Sequence, residues 1–528
     1  MPGNGIRAVR GPKKGRIYMA QIRVKDLTFC YDGGIDNIFE DVSFSIDTDW
    51  RLGFIGRNGK GKTTFLNLLL GKYRYQGTID APSGFRYFPY LVTERQMGME
   101  AWEFIDELEE GCELWQAARE LADLGETDEI LYRPFGSLSP GERTKILLAV
   151  LFAGNGGFFL IDEPTSHLDL EARETVQTYL ASKKGFILVS HDRELLDACT
   201  DHCLVLNRRT IEVMNGSFSV WWENKTRRDQ FAASENEKHL KEIRKLREAS
   251  ARAAGWADKN ERTKIGYDPI KEHDRGNGSR SYIGAKTKKM QSRVKQMEKR
   301  IGREIREKEG LLKDLEVPAD LKLTKLSHHK SVLVEARDYS IRYRDAGRPV
   351  FEGLGFSIEK GDRAALSGRN GCGKSTLIRA ILGKNGQGSG LLDVEEAGVC
   401  RTAAGLVISY MGQEASGLKG SVRDLCRERG LDESLFLAVL RQLDFERTQF
   451  LKNMEDYSEG QKKKVLLAAS LATPAHLYIW DEPLNYIDVF SRMQIETLLL
   501  EYQPTMLFVE HDAGFCRRIA TKTIRLDG

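Results

Sequence analysis

No stretch of this 528-residue chain stays apolar for the roughly 20 residues that a bilayer-spanning helix requires. The longest apolar stretch, residues 146–161, is interrupted by Gly154, Asn155, Gly156 and Gly157, and so reads as a helix end, a turn and a buried strand. The expectation is a chain without a membrane domain. None of the eight cysteines stands in a CxxC pair, which argues against both a disulfide framework and a zinc site. Cys199 and Cys203 flank Asp201 and His202, but with no second pair they read as buried structural thiols in a reducing, cytoplasmic compartment. The first 18 residues carry five basic and no acidic side chains and lack the apolar core of a secretory leader. A basic arm, a cloning remnant and a start placed ahead of Met19 all stay open for them.

What is present is unevenly distributed. Residues 224–316 hold 26 Lys+Arg against 16 Asp+Glu, although the whole chain has a net charge of only +3, so the flanks are net acidic. Apolar residues recur at helical spacing on either side of a breaker-rich segment, residues 266–280: Leu240, Ile243 and Leu246 before it, Met290, Val294, Met297, Ile301, Ile305, Leu312 and Leu315 after it. This pattern predicts two antiparallel helices of roughly 35 to 40 residues each, a hairpin about 50 to 60 Å long. Between Asp274 and Glu298 there is no acid. The loop and its basic flank, Tyr267, His273, Arg275, Asn277, Arg280, Tyr282, Lys286, Lys288, Lys289 and Arg293, are therefore candidates for RNA contact through phosphate pairing, stacking or hydrogen bonding. A solvated coiled coil, the blander reading, would alternate its charges.

The flanks each carry one catalytic pattern. In the first, an apolar strand over residues 51–55 runs into Gly56, Asn58, Gly59, Gly61, Lys62, Thr63 and Thr64, a GxxxxGKT cradle between strand and helix. Its backbone N–H groups converge on phosphates, Lys62 supplies charge and Thr63 offers a hydroxyl to Mg²⁺. The run 158–163 ends in Asp162, a metal-linked carboxylate, and Glu163, a candidate general base. Before it, Leu138-Ser139-Pro140-Gly141-Glu142 opens a helix expected over residues 143–152; after it, His191 ends another buried strand.

Every feature returns in order in the second flank. Gly368, Asn370, Gly371, Gly373, Lys374, Ser375 and Thr376 repeat the cradle; Ser458, Gly460 and Gln461 repeat the serine-glycine turn; Asp481 and Glu482 repeat the carboxylates; His511 repeats the histidine. The copies lie 312, 319, 319 and 320 residues apart for Lys, Ser, Asp and His, which marks an internal duplication.

These residues resemble the ATP-binding-cassette ATPases, whose signature turn is LSGGQ. The resemblance implies an α/β fold with two tandem ABC-type P-loop ATPase domains joined by a long antiparallel α-helical hairpin linker, with expected bounds of 1–21 for a basic extension, 22–222, 223–325 and 326–528. It implies ATP and Mg²⁺ as ligands, with each ATP between one half's cradle and the other half's signature. Tyr31 and Tyr343 match the adenine-stacking aromatics, and Gln413 matches the Mg²⁺-linked glutamine. Two cassettes, no membrane domain and a basic hairpin between them are similar to the ABC-F subfamily, and the stretches Trp256-Ala-Asp-Lys-Asn and Asp481-Glu-Pro-Leu-Asn-Tyr-Ile-Asp488 resemble its antibiotic-resistance members. That likeness implies the 70S ribosome as partner, with docking at the E site and contact to P-site tRNA and 23S rRNA. It also implies protection of the peptidyl-transferase centre against lincosamides, streptogramins A and pleuromutilins. A housekeeping translation factor of the same subfamily is the alternative; an importer's ATPase subunit is a weaker one, and a DNA-repair ATPase would show zinc-binding cysteine pairs. Two departures stand out: Glu142 replaces the usual glutamine of the first signature, and the segment 87–90 ends in Tyr90 where Gln413 stands in the second half. The expectation is two unequal sites, with slower hydrolysis at the Lys62 site.

Overall fold

A computed structural model describes residues 21–31, 36–109, 111–154, 156–166, 168–207, 209–262, 288, 292–297, 299–305, 326–344, 347–386, 393–415, 417–443, 445 and 448–526. Two compact units emerge: Met1–Trp221 with Ala319–Gly528, and Trp222–Pro318.

The first unit contains both repeats. In the first repeat the strands are β1 (Gln21–Phe29), β2 (Phe39–Asp47), β3 (Arg51–Ile55), β4 (Gln76–Asp80), β5 (Phe85–Phe88), β6 (Phe158–Asp162), β7 (Phe186–Val189), β8 (His202–Leu206) and β9 (Ile211–Asn215). An antiparallel sheet of order β2-β1-β4 packs beside a six-stranded sheet of order β5-β6-β7-β3-β8-β9, in which only β8 and β9 are antiparallel. The second repeat has β10 (Val332–Tyr343), β11 (Phe351–Glu359), β12 (Arg363–Ser367), β13 (Val394–Thr402), β14 (Ile408–Met411), β15 (Leu477–Asp481), β16 (Met506–Val509) and β17 (Lys522–Arg525). Its sheets follow the orders β11-β10-β13 and β14-β15-β16-β12-β17. Phe158, Leu160 and Ile161 in β6, like Leu477, Ile479 and Trp480 in β15, are at most 1% exposed. Continuous apolar runs of this kind suit parallel strands covered on both faces, and they place Asp162 and Asp481 at equivalent carboxyl ends.

The helix after the first serine-glycine turn spans Pro140–Ala153, three residues earlier than expected, because Ser139 caps it and Pro140 sits in its first turn. The first linker helix spans Phe218–Arg262, 45 residues or about 67 Å, longer than expected and with an earlier start. Phe218 and Trp221, 2% and 6% exposed, anchor that start within the first unit. In the second unit, residues 292–297 and 299–305 are helical, and Ile243 and Ile301 are buried. Leu240 and Met297 are about half exposed, so the apolar seam is narrower than the spacing alone suggested. Exposed i,i+4 pairs, Lys241–Glu237, Arg244–Glu248 and Arg300–Glu304, line these helices. Lys288 and Arg293 are exposed; Tyr267, His273, Arg275, Asn277, Arg280, Tyr282, Lys286 and Lys289 lie outside the described residues.

Candidate active site

Each cradle occupies the turn between a central parallel strand and a helix, Lys62–Leu69 after β3 and Lys374–Lys384 after β12. The helices begin behind Gly61 and Gly373, at φ 109° and 98°, where a Cβ would approach Ile38 to 2.7 Å and Val350 to 2.3 Å. Only glycine serves there, and the free N–H groups of the first helical turn face the loop. Lys62 Nζ donates to Gly56 O at 2.6 Å and Asn58 Oδ1 at 3.1 Å, while Lys374 Nζ donates to Gly368 O at 2.7 Å and Arg369 O at 3.0 Å. Burial lowers the Lys62 pKa from its ordinary value, against the pull of Asp488, Glu163 and Asp162. Gly59 and Gly371 face open space within their loops. Tyr31 shares a 2.8 Å hydrogen bond with Thr64 Oγ1 and Tyr343 a 3.0 Å one with Thr376 Oγ1, so both partly exposed rings stand beside their cradles.

Thr63 Oγ1 donates to Asp162 Oδ2 at 3.2 Å, and Ser375 Oγ to Asp481 Oδ2 at 3.0 Å. A hydroxyl and a carboxylate brought together in this way are hard oxygen donors and fit Mg²⁺. The next residues, Glu163 and Glu482, take left-handed φ values of 51° and 49°. Two non-glycine residues held so at equivalent positions, at a cost on the order of 1–3 kcal/mol each, turn their carboxylates out of the strand direction. His191 Nε2 lies 3.5 Å from Glu163 Oε1 and His511 Nε2 3.6 Å from Glu482 Oε1. Burial, with the charges of Lys62 and Arg492, keeps the His191 pKa well below the ordinary histidine value.

Around the carboxylates the two sites part. Glu482 Oε2 accepts from Gln413 Nε2 at 2.8 Å and from Asn485 Nδ2 at 2.6 Å. Burial alone would raise its pKa, but hydrogen bonding and charge from His511, with the Gln413 and Asn485 bonds, bring it below the usual glutamate value. Among the described residues Glu163 has no such support. Its Oε1 is sealed from solvent without a hydrogen-bond partner, and burial together with the Asp162 charge pushes its pKa up to about 8. The tyrosine expected in place of Gln413 does not stand in for it: Tyr90 donates to Glu109 Oε2 at 2.8 Å, away from the carboxylates. Tyr87, one strand position from the turn, instead donates to Asp162 Oδ2 at 3.3 Å. Because Glu163 binds its proton more tightly folded than unfolded, its ionisation weakens the fold as pH rises from about 4.5 to about 8. Glu163→Gln therefore gains stability relative to wild type across that window, by up to about 1.4 kcal/mol per pH unit. Thermal unfolding at pH 5 and pH 8 checks this, and an equal difference at the two pH values contradicts it.

The two repeats also meet. A Cβ on Gly460 would lie 2.5 Å from Tyr486 O and 3.5 Å from Asn58 Nδ2, and Asn58 Nδ2 donates to Tyr486 O at 2.8 Å. The second signature thus sits against the first cradle. At Gly141 the three nearest atoms belong to Ala172, Leu168 and Ser139 of its own repeat. Arg193 pairs with Glu496, Arg517 with Glu194, and Arg369 with Glu171 at 3.1 Å, all between repeats. The signature side chains turn inward: Ser139 Oγ accepts from Glu142 N while the Glu142 carboxylate accepts from Ser139 N, and Ser458 and Gln461 do the same. Glu142 and Gln461 are therefore cap residues here.

Residues 39–166 and 351–485 match the ABC transporter family. The chain is a tandem ABC ATPase of the ABC-F type. This ATPase is similar to ATP-binding protein Uup of Caulobacter vibrioides, with 28% identity over 512 residues that cover 94% of the chain and 76% of Uup. It is also similar to ribosome protection protein VmlR of Bacillus subtilis, with 26% identity covering 92% of the chain and 84% of VmlR. The archaeal ribosome recycling factor aABCE1, solved in complex with ribosomal stalk protein aP1, shares the fold with a TM-score of 0.58 at 18% identity, covering 95% of the chain and 87% of that one. Among the described residues, no helix of the ATPase is long and apolar enough to cross a membrane.

Proposed function

We propose that this ABC-F ATPase acts in the cytoplasm on the 70S ribosome, docking at the E site with its linker toward P-site tRNA and 23S rRNA. There it protects the peptidyl-transferase centre from lincosamides, streptogramins A and pleuromutilins. The observation that carries the reading is the pairing of the second signature with the first cradle in a chain whose linker holds the excess of positive charge. ATP binds the cradles through loop N–H groups, Lys62 and Lys374, with Tyr31 and Tyr343 against adenine. Thr63 with Asp162, and Ser375 with Asp481 and Gln413, would hold Mg²⁺, which supplies charge stabilisation on the phosphates when bound. Glu482 accepts the proton of the attacking water, Glu163 does so only in the fraction that is ionised, His191 and His511 orient the carboxylates, and the cross-repeat contacts close on nucleotide and reopen after hydrolysis. The helix Phe218–Arg262 leaves the first repeat without a break and carries that movement onward.

A Glu163→Gln/Glu482→Gln double variant, locked with ATP, is expected to co-sediment with 70S ribosomes and to lose at least about 100-fold in affinity between 50 and 200 mM salt, as counterions are released from phosphates. Expression of wild type in a susceptible host is expected to raise tolerance to the three drug classes. Failure of the locked variant to bind at low salt defeats the reading. Binding without any change in susceptibility selects a housekeeping translation role instead.

A further inference from the structure

Two adjacent lysines on the helix Glu459–Ala472 serve different places. Lys464 pairs with Asp488 at 3.1 Å. Lys463, 1% exposed, donates to the backbone carbonyls of Gly412 at 3.2 Å and Glu482 at 3.3 Å. A buried ammonium persists only where its donors are matched, and here both acceptors belong to the ATP site of the same repeat. Gly412 precedes Gln413, whose amide reaches the Glu482 carboxylate. One cation therefore ties the chain that carries Glu482 to the loop that supplies its amide donor. The helix holding that cation begins at the signature, and Gly460 packs on Asn58 of the opposite cradle.

Among the described residues the first repeat shows no such tie. Thr144 occupies the place of Lys463 and donates to Pro140 O at 2.9 Å within its own helix. This difference joins Tyr90 for Gln413 and Ser166 for Asn485, so all three supports of Glu482 are missing around Glu163.

We infer that Lys463 is a positioning residue for hydrolysis at Glu482, and that through it the signature helix seated on the Lys62 cradle sets the geometry of the other ATP site. The inference rests on Glu482 being the base of the second site. In the full-length Glu163→Gln background, Lys463→Met is expected to lower kcat about 30-fold with KM changed less than about twofold, since a base misplaced by around 1 Å loses up to 100-fold. Lys463→Arg, which can still donate to both carbonyls, is expected to recover kcat to within about fivefold. Unchanged kcat in Lys463→Met, or a matching rise in KM, overturns the inference. Amide hydrogen exchange reads the tie without catalysis: residues 411–414 and 482–485 are expected to exchange about tenfold faster in Lys463→Met than in its parent. Unaltered exchange also overturns it. Faster exchange in a parent that hydrolyses no ATP leaves the tie standing and faults instead the assignment of Glu482 as base.

Discussion

Glu482→Gln is expected to remove nearly all ATP turnover, about 100- to 1000-fold, whereas Glu163→Gln lowers it by no more than about threefold, the scale at which a general base contributes. Motif content alone gives the two glutamates the same role, and their surroundings decide otherwise. Glu482 is held by two amide donors and stays ionised below the usual glutamate pKa, so it is a proton acceptor throughout the neutral range. Glu163, with a sealed Oε1 that accepts no hydrogen bond and a pKa of about 8, is mostly protonated at pH 7. The sign of the pH dependence follows. In the Glu482→Gln variant, kcat/KM reports the free-enzyme ionisation of Glu163 and climbs about tenfold per pH unit until it levels off near pH 8. In the Glu163→Gln variant it stays flat from pH 8 down past 5. Steady-state kinetics of both single variants from pH 5 to 9 measure this, and superimposable profiles with equal turnover would show the two sites to be equivalent.

Much of this site could be read before any coordinates. The cradles, the paired carboxylates and the terminal histidines recur in order at nearly one offset, and each motif's context of buried strand followed by helix is visible as an apolar run next to glycine. The capping boxes are legible too, since Ser139 with Glu142 and Ser458 with Gln461 have the S-x-x-E/Q spacing. What the chain order hid is directional. Tyr90 aligns with Gln413 by position, yet its side chain is drawn to Glu109, while Tyr87, facing the sheet's carboxyl end, takes the contact to Asp162. The left-handed backbone at Glu163 and Glu482 has no glycine to announce it. Nothing in the chain order marks Lys463 and Lys464 as buried; their burial goes with the Gly412 and Glu482 carbonyls that accept from the first and with Asp488, which pairs with the second.

Asp488→Asn is expected to cost about 3–5 kcal/mol, the largest stability loss of any single change near the sites. Asp488 is 0% exposed; it accepts from Ser491 N and Oγ at 3.0 Å each and pairs with Lys464, which is itself buried. Burial opposes its ionisation, but Lys464, the Ser491 bond, and across the repeat boundary His191 and Lys62 depress its pKa far below the ordinary aspartate value. A carboxylate depressed on folding contributes stability that is whole above its unfolded pKa near 4 and fades as pH falls toward the folded value. The deficit of the variant is thus constant from pH 5 to 8 and shrinks only below about 4. The first repeat supplies the control. Asp169, the counterpart of Asp488, is partly exposed and accepts from Ala172 N at 3.0 Å, while Lys145 pairs with Glu126 at 2.6 Å rather than with Asp169. Asp169→Asn removes no buried charge pair and costs about 1 kcal/mol or less, the scale of a helix cap. Adding Lys464→Met to Asp488→Asn removes the stranded cation and restores most of the loss, as replacement of buried ion pairs by apolar groups often does. Urea unfolding of wild type and the three variants at pH 7 distinguishes these outcomes. Equal losses for Asp169→Asn and Asp488→Asn, or no recovery in the double variant, contradict the view that the second repeat stakes its stability on a charge shared with the opposite ATP site.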